Sequence, residues 1–243
     1  MIKVAFRVQA VILALGWVVV IASATIPGLD SDAPWIVAFF VALTISFVLI
    51  HRISAVPPAA EHPRLGSPSW VEKLVASIPG KIVIVLLSLV LMIGTGGVAG
   101  VLVCLPVKGI SVTLAGLPEI LGTAIVGAAV SIVGFGLFTL LLSLLGPVLS
   151  VAFETWIGYI APVIGGVVGA AVGSGYVTGG LGIVGVSALT GGLVLVMFDA
   201  STSKKKVTGK AVGESLVAGM GLGFVQGVIL ALFFWLFKAL SLV

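Results

Sequence analysis

Charged residues are scarce in this chain of 243 residues. Only 8% are Asp, Glu, Lys or Arg, whereas 60% are hydrophobic. Soluble domains carry about 25% charged residues, and a soluble fold cannot bury this much apolar surface. Lipid is therefore the expected solvent, and we predict an all-α fold, a polytopic membrane helix bundle.

Side chains that carry chemistry are also scarce. The single cysteine, Cys104, excludes an intrachain disulfide and any CxxC metal or redox motif. The two histidines, His51 and His62, lack HExxH spacing, no GxSxG is present, and the stretch 204–211 lacks the residues of a P-loop. We therefore expect no enzymatic activity, no cofactor and no metal site.

Basic residues exceed acidic ones by four, 12 against 8. They lie in short segments between apolar runs and are not interleaved with aromatic side chains. This pattern is typical of residues that orient a membrane protein, so we expect no nucleic-acid partner.

The apolar runs fit seven crossings, because a spanning helix needs about 20 apolar residues and seven would use about 140. The predicted spans cover 8–26, 35–50, 82–105, 120–145, 148–174, 180–198 and 214–237. The first ends in Ala22-Ser23-Ala24, as a secretory signal does, but we expect it to be retained as a span. We divide the chain into a first hairpin (1–54), a linker (55–81) and a glycine-rich five-helix bundle (82–243).

The linker 55–81 starts with a proline-rich stretch and then shows helical periodicity. One apolar stripe follows the prolines, formed by Trp70, Val71, Leu74, Val75 and Ile78. The stripe is too short to cross a bilayer and predicts an amphipathic helix in the membrane interface. A helix packed on a partner protein has the same pattern.

The distribution of cations indicates an orientation. With seven spans and a cytoplasmic N-terminus, ten of the twelve cations lie inside, as the positive-inside rule requires. The inner ones are Lys3, Arg7, Arg52, Arg64, Lys73, Lys81, Lys204, Lys205, Lys206 and Lys210; the outer ones are Lys108 and Lys238. We therefore expect a protein of the cell membrane with its C-terminus outside. The span 148–174 is essential to this assignment, since a re-entrant segment there would move the lysines outside.

Two ladders of small residues recur at intervals of four. The first holds Ala161, Gly165, Gly169 and Gly173, and the second holds Ser215, Gly219, Gly223, Gly227 and Ala231. Residues four apart share a helix face, and small residues let a second helix approach closely in lipid. The ladders predict tight helix–helix seams, either within the chain or between protomers. The sequence VGAAV occurs at 126–130 and again at 168–172, which we attribute to composition.

Three further features bear on transport. Glu154 is the one acid placed well inside a predicted span, and it is the candidate intramembrane ion or proton site. Facing the headgroups is the alternative for this side chain. Glycine clusters at 94–100 and 173–182 are candidate helix breaks, and the apolar loop 106–118 is a candidate extended or re-entrant flap.

These features favour a non-enzymatic integral membrane protein. The leading hypothesis is a subunit or scaffold that forms homo-oligomers or joins other membrane subunits within the lipid bilayer. The alternative is a small pore or transporter for uncharged or monovalent species.

Overall fold

The computed structural model describes residues 2–24, 33–54, 77–143, 160–202 and 208–240. Within these ranges the chain is all-helical, as predicted. The helices are α1 (Ile2–Ala24), α2 (Ala33–Ser54), α3 (Ile78–Lys108), α4 (Ile110–Ala115), α5 (Leu117–Ser143), α6 (Ala161–Gly173), α7 (Gly180–Thr202) and α8 (Gly209–Ala239).

Five of the described helices, α2, α3, α5, α7 and α8, are long and apolar enough to cross a membrane. The apolar part of α1, Arg7–Ser23, and all of α6 are shorter. The protein is thus a multi-pass helical membrane protein with at least five helices of spanning length.

Local signals fix several helix ends. Ser77 caps α3 by accepting a hydrogen bond from the Gly80 amide at 3.1 Å, and Thr208 caps α8 by accepting one from the Ala211 amide. At the end of α6, Gly175 has a φ of +68°, and the Tyr176 amide donates to the Ala171 carbonyl at 2.9 Å. This Schellman-type turn places a real break inside the predicted 173–182 interruption.

The glycine cluster 94–100 is not a break. This part of the prediction was wrong, because α3 passes through the cluster as continuous helix. Gly94, Gly96, Gly97 and Gly100 are all buried against neighbouring helices. Small size, and not backbone freedom, is what these glycines contribute.

The segment 106–118 is not extended, so this alternative of the prediction was wrong. It holds the end of α3, the short helix α4 and the start of α5. Gly109, with a φ of +88°, reverses the chain, and the buried Thr113 hydroxyl donates to the Gly109 carbonyl at 2.9 Å. Ile110 and Val112 point outward and explain the apolar character of this connection.

Contacts between the helices fix which of them are neighbours. Gly16 of α1 lies against Val98 of α3 and against Phe40 of α2. Trp17 donates a hydrogen bond to Thr44 at 3.1 Å, and Leu43 of α2 lies against Gly94. The helices α1, α2 and α3 and the start of α5 share one apolar core, and α5 to α8 share a second.

Candidate functional site: small-residue seams, a buried polar cluster and an apolar groove

Helix α6 is wedged between α3 and α5 with its backbone against both. A Cβ on Gly166 would lie closer than 3.0 Å to the Gly96 carbonyl of α3, and one on Gly165 equally close to the Gly127 carbonyl of α5. Ten of the 13 residues of α6 are buried. Glycines on three helices therefore let three backbones approach closely. In lipid, where the hydrophobic effect does not drive helices together, such close packing stabilises their association.

The first predicted ladder lies on the α5 side of α6. A Cβ added to Gly169 would lie closer than 3.0 Å to the Thr123 carbonyl oxygen, and one added to Gly173 would lie closer than 3.0 Å to the Thr123 side chain. Ala161 is fully buried at the start of the helix. Residue numbers rise along α6 while those of the α5 residues in contact with it fall, so these two helices are antiparallel. Residue numbers rise together along α6 and α3, so these two helices are parallel.

The two VGAAV segments lie in this seam but are offset along it. The atom nearest to a Cβ on Gly127 would be the Gly165 carbonyl oxygen, and the atom nearest to one on Gly169 would be the Thr123 carbonyl oxygen. The glycine of each copy therefore packs mainly against residues outside the other copy.

The second ladder closes the hairpin of α7 and α8. Gly219 lies against Gly191, Gly223 against the Ser187 carbonyl, and Gly227 against Val184 and Ser187. At the ends of the ladder, the Ala231 methyl lies near Gly180, and the Ser215 hydroxyl donates to Asp199 of α7. Each glycine of this ladder therefore contacts α7 of the same chain.

A polar cluster is buried where α5, α6 and α8 meet. Gln226 of α8 is 0% exposed and Ser131 of α5 is 1% exposed. The Ser131 hydroxyl donates to the Ala161 carbonyl at 2.7 Å, and the Gln226 amide donates to that carbonyl at 2.9 Å and to the Ser131 hydroxyl. Ser131 lies near the middle of α5, so the cluster sits at mid-depth of the bundle.

Sequence reasoning did not single out Ser131 or Gln226 as candidate site residues. The available signal was the amide of Gln226 inside the otherwise apolar run of α8. Nearby, Ser187 of α7 is 0% exposed, and its hydroxyl has no hydrogen-bond partner within the described residues. It lies in the α7–α8 seam against Gly227.

An apolar groove of about 560 Å³ runs along the outside of this junction. One face of α5 forms its first wall, from Pro118 and Glu119 to Val130, and α8 forms the opposite wall. The α8 wall consists of Leu230, Phe233, Phe234 and Phe237, and residues of α6 and α7 form the floor. Such a volume is within the usual range of ligand sites.

Several predicted site residues fall outside the described ranges. Glu154 does so, as do Trp70, Val71, Leu74 and Val75 of the predicted interfacial helix. Ile78, the last member of that stripe, is the first residue of α3 and is 75% exposed. Among the described residues, no group of three or more His, Cys, Asp or Glu side chains is placed to hold a metal ion.

Comparisons with known proteins add no family to this picture. No protein-family model matches the chain, and neither a curated protein nor a solved structure matches it.

Proposed function

We propose that this integral membrane protein is a non-enzymatic subunit that associates with a second copy of itself through the outer face of α7 and α8. This α7–α8 face comprises the turn 176–179, the first turn of α7 and residues 228–235 of α8. A second groove, of about 760 Å³, lies across it.

A projecting leucine beside a groove of small residues on one face is the observation that carries the proposal. Leu181 projects from it with 91% of its side chain exposed, directly beside a groove that contains Gly179, Gly180 and Gly182. Tyr176 and Trp235, at 63% and 69% exposed, stand at its rim. A projection and a recess on one surface allow an isologous, two-fold contact, and small residues permit close helix approach in lipid.

Apart from Ala231, which lines the groove, the two predicted ladders do not serve in this interface. Their glycines contact helices of the same chain, so we assign them to the internal rigidity of the subunit. The ladders would stabilise the scaffold on which the α7–α8 face is presented.

Two glycines give a matched test of self-association. Gly179 lines the groove and Gly136 on α5 lies outside it, and a Cβ would meet nothing within 4 Å at either position. Gly179→Phe should fill the groove and convert dimers to monomers, whereas Gly136→Phe should leave the dimer intact. Single-molecule photobleaching of labelled protein, diluted into liposomes, counts the protomers.

Three results would count against the proposal. They are a monomeric wild type at every protein-to-lipid ratio, an unaffected Gly179→Phe dimer, and equal loss of dimers in both variants. A wild type that is monomeric alone but co-purifies with a different membrane subunit would replace self-association with assembly into a larger complex.

The polar cluster favours a second candidate, a pore or transporter for small uncharged or monovalent species. Buried hydrogen-bonding groups at mid-depth are the places where a solute can exchange its water shell for protein partners. Flux of urea, glycerol and K⁺ into proteoliposomes tests this function, with Ser131→Ala and Gln226→Leu expected to alter it. Rates equal to those of empty liposomes would reject it.

Glu154 belongs to the same candidate as its predicted ion or proton site. Glu154→Gln should abolish any proton-coupled or cation flux, because the amide cannot ionise. Unchanged flux in this variant would remove Glu154 from the mechanism.

A further inference from the structure

The apolar groove between α5 and α8 combines aromatic rings with a single carboxylate. Phe233, Phe234 and Phe237 of α8 line it, and the residues of α6 and α7 on its floor are aliphatic or glycine. Among the described residues that line the groove, Glu119 of α5 alone carries a charge. Sites for small organic molecules have this composition, mostly apolar walls with a few polar groups that orient the ligand, and a volume of about 560 Å³ is sufficient for one.

Glu119 is accessible to a ligand in the groove. It lies in the first turn of α5, and its side chain is exposed. Within the described part of the chain, its carboxylate forms no ion pair. A carboxylate that lines a groove attracts cations and repels anions, so Glu119 selects the sign of the ligand's charge.

The walls of the groove suit a ligand that carries rings. The faces of phenylalanine rings attract cations, and proteins recognise quaternary ammonium groups with aromatic side chains. Aromatic rings also pack against one another in offset or edge-to-face arrangements. On the α5 wall, a Cβ added to Gly122 would meet nothing within 4 Å, so this part of the groove is open.

We propose that the groove binds a monovalent organic cation with an aromatic, lipophilic body, such as a phosphonium or quaternary ammonium ion. The body lies between α5 and the phenylalanines of α8, and the positive charge is attracted to the Glu119 carboxylate. A hydrated metal cation is disfavoured, because it would exchange several water ligands for one carboxylate among apolar walls. An anionic amphiphile such as a fatty acid is disfavoured by the same carboxylate.

Equilibrium binding of radiolabelled tetraphenylphosphonium tests this site. The full chain is placed in phosphatidylcholine nanodiscs, and the binding to empty nanodiscs is subtracted. We expect one bound cation per chain. Unlabelled methyltriphenylphosphonium and triphenylphosphine oxide then serve as competitors, because they have nearly the same shape and only the first has a net charge. The cation should compete up to about fivefold better than the oxide, as an exposed ion pair allows.

A matched pair of glutamates tests the role of the charge. Glu119→Gln should remove most of the preference for the cation over the oxide, whereas Glu214→Gln should keep it. Both variants replace an exposed carboxylate with an amide, and Glu214 of α8 lies outside the groove. A preference that stays at the wild-type value in Glu119→Gln, or that falls equally in both variants, would reject the assignment of Glu119.

Two glycines on α5 test the location of the site. Gly122 lines the groove, whereas Gly136 lies six residues beyond Val130 and outside it, and both positions are open to a larger side chain. Gly122→Phe should weaken the binding of tetraphenylphosphonium by roughly tenfold, because its ring occupies the groove. Gly136→Phe should bind as the wild type does. Equal affinities of the two variants would place the cation elsewhere on the protein.

The wild-type protein alone also decides the proposal, whether or not each variant folds. No binding of tetraphenylphosphonium above that of empty nanodiscs, or equal competition by the cation and the oxide, would overturn it. The site is independent of the proposed self-association, since it shares no lining residue with the groove of the α7–α8 face. A monomer that binds the cation would refute self-association alone, and a dimer that binds none would refute this site alone.

Discussion

At the scale of single residues, the Gln226 amide makes its hydrogen bonds where lipid offers no competing partner. It donates to Ser131 and to the Ala161 carbonyl, and so links α8 to α5 and α6. In membrane proteins such side-chain bonds between helices contribute about 0.6 kcal/mol on average and up to about 1.7 kcal/mol. The cluster is therefore a modest but directional tie among three helices.

Replacing Gln226 with Leu should destabilise the protein by about 1 kcal/mol, because two interhelical hydrogen bonds are lost while the volume is kept. Ser88→Ala is the control, since among the described residues the Ser88 hydroxyl donates to the Ile84 carbonyl of its own helix. Equilibrium unfolding in mixed micelles measures both. Equal effects of the two variants would show that the cluster does not tie the helices together.

A double-mutant cycle addresses the coupling inside the cluster. Because the Ser131 hydroxyl both accepts from Gln226 and donates to Ala161, Ser131→Ala removes a partner of each. We expect the double variant to be less destabilised than the sum of the single variants, by about 0.5 kcal/mol or more. Strict additivity would mean that the two side chains act independently.

At the scale of secondary-structure elements, α6 is the piece on which the packing depends. It touches α3 on one side and α5 on the other through glycine backbone, so added volume on either face has no free space to enter. Overpacking a tight interior costs typically 1–3 kcal/mol. The seam should therefore tolerate no larger residue at its centre.

Gly165→Ala tests this seam with a single methyl group. The new Cβ would lie closer than 3.0 Å to the Gly127 carbonyl, so we expect a loss of at least about 2 kcal/mol in the free energy of unfolding. Gly136→Ala on α5 should instead be neutral or stabilising by up to about 1 kcal/mol, because alanine favours helix and nothing lies within 4 Å. If both variants changed the free energy of unfolding by the same amount and in the same direction, the tight contact between α5 and α6 would be contradicted.

Sequence reasoning reached the elements unevenly, for physical reasons. Hydrophobic length identified the long helices, because the bilayer sets that length directly. It missed the helix Ile110–Ala115, since six residues show too little periodicity to distinguish a helix from an apolar loop. It also mistook the cluster 94–100 for a break. A glycine in a sequence is compatible both with a flexible backbone and with close helix packing, and the sequence alone does not distinguish the two.

The same limit applies to the candidate sites. A ladder of small residues indicates that another helix packs closely, but not which helix. The sequence therefore located the seams on α6 and α8 but did not identify their partners, α5 and α7. The polar cluster and the groove depend on side chains from helices far apart in the chain, as with Ser131 and Gln226. Such meetings follow from the packing of the helices and have no local pattern.

At the scale of the whole molecule, the directions of the helices alternate. The parallel pair α3 and α6 is antiparallel to α5, and the hairpin partners α7 and α8 oppose each other. Lys108 lies over the ring of Tyr176 at 5.8 Å, which places the end of α3 and the turn after α6 on the same side. The end of α7 and the start of α8 then lie on the opposite side.

This arrangement makes the proposed orientation testable at two positions. With the N-terminus in the cytoplasm, Thr178 should face the outside and Lys210 the cytoplasm, because the positive-inside rule retains the lysine-rich connection on the inner side. In a Cys104→Ala background, Thr178→Cys should react with a membrane-impermeant maleimide in intact cells, and Lys210→Cys only after permeabilisation. Both side chains are exposed in the single chain. Because Thr178 lies in the proposed α7–α8 face, the labelling is repeated in the Gly179→Phe background, where the dimer is expected to be absent. The reverse pattern would invert the topology, and labelling of both positions from outside would mean that α7 does not cross.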